Sequence, residues 1–139
     1  MATNTAPLTP PATHLPLPVV KTIGAWVTYS SPGTTVAKRL GTIPAGAIVV
    51  GGGAMVTTAF NDSGTDYIDI GTLDDDDAFA TDLDVSSVGY KVLDELATHN
   101  DYSTSEVGVI ATYAGQNSNA SAGVAYCFVQ FIEPTPASA

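Results

Sequence analysis

Residues 105–133 read SEVGVIATYAGQNSNASAGVAYCFVQFIE, and they hold two clear strand signals joined by the polar segment QNSNAS. Both apolar runs, 105–115 and 122–133, are rich in the β-branched and aromatic residues that favour strands. The second run is apolar on both faces, which is typical of a central strand in a sandwich or of a strand that also meets another subunit. This stretch predicts an all-β fold.

Upstream of this stretch, short runs of strand-forming residues alternate with turn signals. The candidate strands are GAWVTYS at 24–30, TVAKRLGTI at 35–43, AIVVGGGAMVTTAF at 47–60 and TDYIDIG at 65–71. Glycines 51–53 mark a bulge, a bend or a close backbone approach within the third run. The segment 61–64, NDSG, is typical of a hairpin connection.

The spacing of these runs predicts six to eight strands in a single β-sandwich or jelly-roll domain at 19–133. A short helix is a further expectation at 85–98, where Val88, Val92 and Leu96 recur at helical spacing although Gly89 weakens the pattern. Residues 134–139 are expected to form a flexible tail.

The N-terminal segment 1–18, MATNTAPLTPPATHLPLP, carries five of the nine prolines and no acidic or basic residue apart from His14. Proline fixes φ and favours an extended chain. Two interpretations stay open: a disordered leader, or an arm that docks on a neighbouring subunit through Leu8, Leu15 and Leu17.

The net charge of the chain excludes nucleic acid as a partner. Four basic residues stand against fourteen acidic ones, for a net charge of −10, and nucleic acid needs clustered basic side chains. All but one of the acids lie between Asp62 and Glu106, so one side of the domain is expected to be strongly negative. The chain carries no cleavable apolar leader and no apolar run of about 18 residues, and we expect neither secretion by the general route nor membrane insertion.

Catalytic and zinc-binding patterns are not found. His14, His99 and Cys127 are scattered along the chain, and their spacing suits neither a nucleophile with its base nor a zinc site. Cys127 cannot form an internal disulfide, and we expect it to be a buried, inert thiol. Glycines 51–53 lack the GK[ST] of a phosphate-binding loop. The single tryptophan, Trp26, is expected in the core or an interface rather than in a sugar-binding cleft. We therefore expect no enzyme and no cofactor.

Residues 71–89, GTLDDDDAFATDLDVSSVG, contain six aspartates and no cation. Asp74, Asp75, Asp76 and Asp77 supply the oxygen ligands that calcium prefers, but an EF-hand needs glycine at the sixth position, which is Phe79 here. Four adjacent carboxylates on an extended chain also point in alternating directions, and they converge only if the loop is tightly folded. A solvated acidic loop is the favoured interpretation, with calcium as the minority one.

Residues 40–89, LGTIPAGAIVVGGGAMVTTAFNDSGTDYIDIGTLDDDDAFATDLDVSSVG, together with the C-terminal VxYxxVQFI strand, resemble small virion proteins of tailed bacteriophages. The shared features are IPAG, a strand ending VTTAFN, a hairpin into an IGT strand end and a DxDAFAxxxDxxxxG loop. The resemblance is to capsid decoration, or cement, proteins and head-fibre bases. The glycine triplet and the long proline-rich N-terminus depart from that pattern.

The resemblance implies binding without catalysis, by a β-sandwich or jelly-roll protein that often forms homotrimers. It implies a virion protein, made in the host cytoplasm, that lies on the outer capsid surface and binds the major capsid protein, with no nucleic acid or membrane partner. The expected interface residues are Leu8, Leu15, Leu17, Trp26, Tyr126, Phe128 and Phe131. The alternative is a receptor- or glycan-binding module of a phage head or tail fibre, using exposed aromatic residues such as Tyr102 and Tyr113.

Overall fold

The computed structural model describes residues 19–30, 37–96 and 104–134. Within them lie eight strands: β1 (Lys21–Thr28), β2 (Ala37–Ile43), β3 (Ile48–Thr58), β4 (Asp66–Thr72), β5 (Ala80–Asp84), β6 (Gly89–Val92), β7 (Val107–Gly115) and β8 (Val124–Ile132). The predicted arm at 1–18, with Leu8, Leu15 and Leu17, lies outside the described residues, as does 135–139. No helix long and apolar enough to cross a membrane occurs in the described part of the chain.

The strands form two antiparallel sheets of four. The first sheet has the order β1-β8-β3-β6, and the second sheet has the order β2-β7-β4-β5. The pairs β1/β8, β2/β7, β3/β6 and β4/β5 are hydrogen-bonded neighbours. The chain is thus arranged as one long folded-over hairpin, with β1–β4 in one arm and β5–β8 in the other. The predicted β-sandwich is confirmed.

The core lies between the two sheets and is built from the inward-facing residues of each strand. In β8, buried residues alternate with partly exposed ones along the whole strand, as the period of two requires. Val27, Val56, Ile68, Ile70 and Val129 are among the fully buried side chains. Full burial of a side chain of this size contributes about 1.5–3 kcal/mol.

The position of β8 between β1 and β3 confirms the prediction that the last apolar run is a central strand. Asp66, Ile68 and Ile70 in β4 are buried at every second position of the strand, as a period of two requires. Glycines 51–53 lie inside one long strand, and the register between β3 and β8 shifts at Val49/Gly51, so the predicted irregularity is present.

Two local predictions are wrong. The expected helix at 85–98 is replaced, in the described residues 85–96, by β6, because Gly89–Val92 pairs with the middle of β3. Segment 61–64 is not a hairpin turn, since β3 belongs to the first sheet and β4 to the second. The chain crosses between the sheets at this point, and the adjacent strands β4 and β5 pair instead.

Candidate interaction surface

Four large side chains form a straight row across the outer face of the first sheet. Trp26 in β1 lies opposite Tyr126 in β8, Tyr126 lies opposite Met55 in β3, and Met55 lies opposite Tyr90 in β6. Side chains that are directly opposite in neighbouring strands share one face of the sheet. The register therefore places one large apolar or aromatic side chain from every strand of this sheet side by side.

A second cross-strand row lies next to the first and contains Phe128 between two glycines. Gly24 pairs with Phe128 on one side and Gly53 pairs with it on the other. A Cβ atom at Gly24 would lie 2.8 Å from the Tyr126 hydroxyl, and one at Gly53 would lie 2.9 Å from the Tyr90 ring. The glycines thus leave room for the neighbouring rings to lie over the backbone.

The rings of these two rows contact one another continuously. Trp26 meets Tyr126 edge to face with ring centroids 5.2 Å apart, and the Tyr126 and Phe128 centroids are 6.0 Å apart. Tyr90 stacks on Phe128 at 5.9 Å, and its hydroxyl donates to the Gly52 carbonyl at 2.8 Å. We call this surface the aromatic face; its members are Trp26, Met55, Tyr90, Val92, Tyr126 and Phe128.

The aromatic face is open to solvent and has little charge. Trp26 is 55% exposed, Tyr90 45%, Met55 41% and Val92 59%. The four strands of the first sheet carry no aspartate or glutamate. Exposed aromatic residues and methionine with depleted charge are the composition of the centre of a protein interface. This surface is therefore suited to binding an apolar or weakly polar partner.

The structure brings together three of the predicted interface residues, Trp26, Tyr126 and Phe128. Phe131 lies on the opposite side of β8, 4% exposed, and packs in the core instead. Tyr90 and Val92 were missed from the sequence because strand β6 was not predicted, and Met55 was missed as well. The alternation in β3 did contain a signal for Met55, which lies between buried Ala54 and Val56.

Cys127 is fully buried on the inner side of β8, between its cross-strand neighbours Ala25 and Ala54. Burial raises the pKa of its thiol to about 12, because a thiolate is poorly solvated in the core. The thiol is therefore protonated at neutral pH, as the inert role predicted for it requires.

The predicted acidic loop connects β4 to β5 and is tightly folded. The Asp75 carbonyl accepts hydrogen bonds from the Thr72 N–H at 2.7 Å and the Ala78 N–H at 3.2 Å. Because of this turn, carboxylate oxygens of Asp75, Asp76 and Asp77 lie within 4.8 Å of one another, whereas Asp74 is not part of that group. Carboxylates of this kind suit a hard cation, but exposed acidic groups are common on protein surfaces and do not by themselves define a metal site.

Asp69, on β4, adds to the negative charge near this loop. Burial raises the pKa of its carboxyl group, the Asp82 N–H that it accepts lowers it, and the charges of Asp82, Asp76 and Asp77 raise it again; the net change is upward. The acidic residues are therefore separated from the aromatic face in the fold. Acidic residues concentrate on β4, β5 and the loop between them, while the aromatic face is on the other sheet.

A second carboxylate, Asp62, joins the β3–β4 connection to the β7–β8 connection. Its two oxygens accept the backbone N–H groups of Gly64 at 2.8 Å, Asn117 at 3.0 Å and Asn119 at 3.0 Å. Burial raises the pKa of Asp62, but these N–H donors lower it more, and the net result is a pKa below the ordinary value. Two connections that cross between the sheets are thereby held together at one end of the sandwich.

Tyr113 lies beneath this pair of connections and is 1% exposed. Its hydroxyl donates to Asp66 at 2.5 Å, and its ring contacts Phe60 with centroids 4.6 Å apart. Burial, followed by the hydrogen bond to Asp66, raises the pKa of the phenol. The expectation that Tyr113 is exposed for receptor or glycan binding is wrong. Tyr102 lies outside the described residues.

The fold and this surface define an eight-stranded antiparallel sandwich with an open aromatic face on one sheet and an acidic edge on the other. No family model matches the sequence, and no curated protein matches it either.

Two solved structures share the fold. A chain of the cyanophage Pam1 capsid asymmetric unit is similar with a TM-score of 0.68 and 17% sequence identity, covering 96% of this chain and 98% of that chain. A chain of the acid-stable capsid structure of Helicobacter pylori bacteriophage KHP30 is similar with a TM-score of 0.64 and 19% identity, covering 84% and 90%. At these identities the similarity establishes a common fold.

Proposed function

We propose that this protein is a virion structural protein of a tailed bacteriophage. More specifically, it is a capsid decoration, or cement, protein that binds the outer surface of the head and stabilises contacts between major capsid subunits. The observation that carries the proposal is the fold shared, over nearly the whole length of both chains, with a chain of a phage capsid.

The strand arrangement supports the same proposal. Pairing of β1 with β8, β2 with β7, β3 with β6 and β4 with β5 is the pattern of an eight-stranded jelly roll, a fold of viral capsid domains. We assign the sandwich to that class. A small jelly roll with one open aromatic face is suited to binding other proteins, and its role in the virion is non-catalytic.

We further propose that the functional unit is a homotrimer and that the major capsid protein is its partner. In this arrangement the aromatic face supplies contacts between subunits, and the acidic edge formed by β4, β5 and the acidic loop faces solvent or a basic patch on the capsid protein. Repeating one modest contact over many copies of a lattice gives a stable coat through effective concentration.

Accessibility on intact virions tests this assignment. Antibodies raised against the purified protein are applied to unbroken particles and to particles opened by osmotic shock, with an antibody against an internal head protein as the control. Labelling of intact heads is the expected result. Labelling confined to tail fibres, together with micromolar binding on a glycan array, would favour the receptor- or glycan-binding alternative.

A further inference from the structure

We propose that the aromatic face receives the proline-rich segment 1–18 of a second copy of this chain. The proposal concerns the contact between copies and is tested on the purified protein alone. It rests on the proposed contact between subunits through the aromatic face, so a monomeric chain would contradict both that contact and the homotrimer, whereas binding to the capsid is tested separately on virions and heads.

The chemistry of the face matches that of the segment. Proline-rich chains adopt an extended helix whose rings and apolar side chains pack against rows of aromatic residues. The Tyr126 and Phe128 rings lie within 22° of parallel, and the Tyr90 and Phe128 rings within 14°. Segment 1–18 offers five prolines and three leucines to such a surface and contains no acidic residue.

Charge favours this contact over other contacts between copies. Each chain carries a net charge of −10, so two copies repel each other unless their contact surfaces exclude the acidic residues. The strands of the first sheet contain no acidic residue, and neither does segment 1–18. A contact between these two parts keeps the acidic edges of both copies apart.

The sequence just before β1 favours an extended chain over a tight turn. Residues 15–21 read LPLPVVK and contain no glycine, asparagine or aspartate, which supply the positive φ of many tight turns. A residue that precedes proline is held in an extended conformation. Val19 and Val20, both exposed, lead directly into β1.

The length of the segment is sufficient for a second copy. An extended proline-rich chain rises about 3.1 Å per residue, so 18 residues reach roughly 55 Å, whereas four strands span about 15–20 Å. Because the sequence before β1 does not favour folding back, the neighbouring copy is the expected acceptor.

Sedimentation equilibrium of the full chain tests the proposal with two variants and one control. The arm variant carries Leu8→Ser, Leu15→Ser and Leu17→Ser. The face variant carries Trp26→Thr and Met55→Thr, two exposed positions where threonine suits a strand. The control, Leu73→Thr, changes a leucine that is 66% exposed outside the aromatic face. Far-ultraviolet circular dichroism checks that each variant is folded.

The expected result is that the natural chain and the control self-associate with equal affinity, while each variant raises the dissociation constant about tenfold or more. Mixing the arm variant with the face variant is expected to restore association, because one partner supplies an intact face and the other an intact arm. Three results would overturn the proposal: a monomeric natural chain, an arm variant that associates normally, or no recovery on mixing.

Discussion

Asp62 accepts hydrogen bonds from three backbone N–H groups and so holds two loops together. The ionised carboxylate suits this role because both of its oxygens are acceptors. Replacing it by asparagine keeps one acceptor oxygen but places an NH2 group where the second oxygen accepts a donor. We expect Asp62→Asn to lower the Tm by several degrees at pH 7, as measured by differential scanning calorimetry. Asp74→Asn, which removes the same charge from the acidic loop, is the matched control and is expected to change the Tm little.

The pH dependence of this effect has a defined sign. The pKa of Asp62 in the folded protein is below its ordinary value of 3.8, so its contribution to stability is complete above that value and is lost as the pH falls through the lower, folded pKa. The Tm difference between the natural chain and Asp62→Asn should therefore shrink as the pH falls below the ordinary value of 3.8. A difference that stays constant down to pH 2 would contradict the role given to the carboxylate.

The reactivity of the Cys127 thiol tests how tightly the core is closed. Its thiol is fully buried and its pKa is raised to about 12, so a thiol reagent can reach it only after the sandwich opens. At pH 8 the native protein should react with a chromogenic disulfide at least about a thousandfold more slowly than the protein in denaturant. Equal rates would show that β8 is accessible in the folded state.

The burial of single residues was predicted correctly where it followed the alternation of side chains along a strand. Cys127 was expected in the core and lies there, and Trp26 was expected in the core or an interface and lies on an exposed face. Tyr113 was misjudged although its position two residues after Ala111, itself two after Val109, placed it on the same inward face. The Asp62 contacts could not be predicted, because they join loops that are 55 residues apart in sequence.

Strands β3, β6 and β8 depend on glycine for close packing. A Cβ atom at Gly53 would lie 2.0 Å from the Lys91 carbonyl oxygen in β6, which only backbone movement could relieve. We expect Gly53→Ala to reduce the free energy of unfolding by about 2 kcal/mol or more, measured by urea denaturation. Gly51→Ala is the control: its Cβ would meet the flexible end of Gln130 at 3.1 Å, and a change within about 0.5 kcal/mol is expected. Equal losses would contradict this packing.

The acidic loop yields a prediction about calcium. Only Asp75, Asp76 and Asp77 of the predicted four carboxylates converge, and the loop lacks the ligand spacing of a calcium-binding hand. We expect 5 mM calcium or 5 mM EDTA to shift the Tm by less than about 1 °C, and neither to change the oligomeric state. A stabilisation of several degrees by calcium that disappears in Asp76→Asn would establish a metal site there.

At the scale of elements, the long apolar strands were predictable and the short polar ones were not. β7 and β8 follow the composition and alternation of residues 105–133 closely. β5 and β6, of five and four residues, contain Asp82, Asp84 and Lys91 and were missed. Their strand conformation comes from pairing with β4 and β3, and such a partner is not visible in a local pattern. The false helix at 85–98 has the same cause.

Within the described residues, the aromatic face lies on the first sheet, and the acidic residues of the strands lie on the second. The sequence indicated only that one side would be strongly negative, because all but one of the acidic residues lie between Asp62 and Glu106. It could not indicate that residues from β1, β3, β6 and β8 meet in the aromatic face, since that depends on the strand order. The separation gives a strongly charged protein one surface on which copies or partners can approach.

Segment 1–18 is expected to strengthen binding to the capsid. If the segment links copies on a capsid lattice, its deletion removes the gain from multivalency and leaves the direct contact with the capsid protein. We expect a chain that begins at Val19 to bind expanded capsids about tenfold or more weakly than the full chain, with both proteins titrated in the same cosedimentation assay. Undiminished binding would contradict a role for the segment on the capsid.

The decoration role is tested by binding to empty, expanded heads that lack this protein. Under the proposed function a phage encodes this chain; the purified full chain is titrated onto such heads of that phage, and bound protein and the temperature of head disruption are measured together. We expect saturation at a fixed number of copies per head and an increase of several degrees in the disruption temperature. No saturable binding, or binding that leaves the disruption temperature unchanged, would contradict a decoration protein that stabilises the capsid.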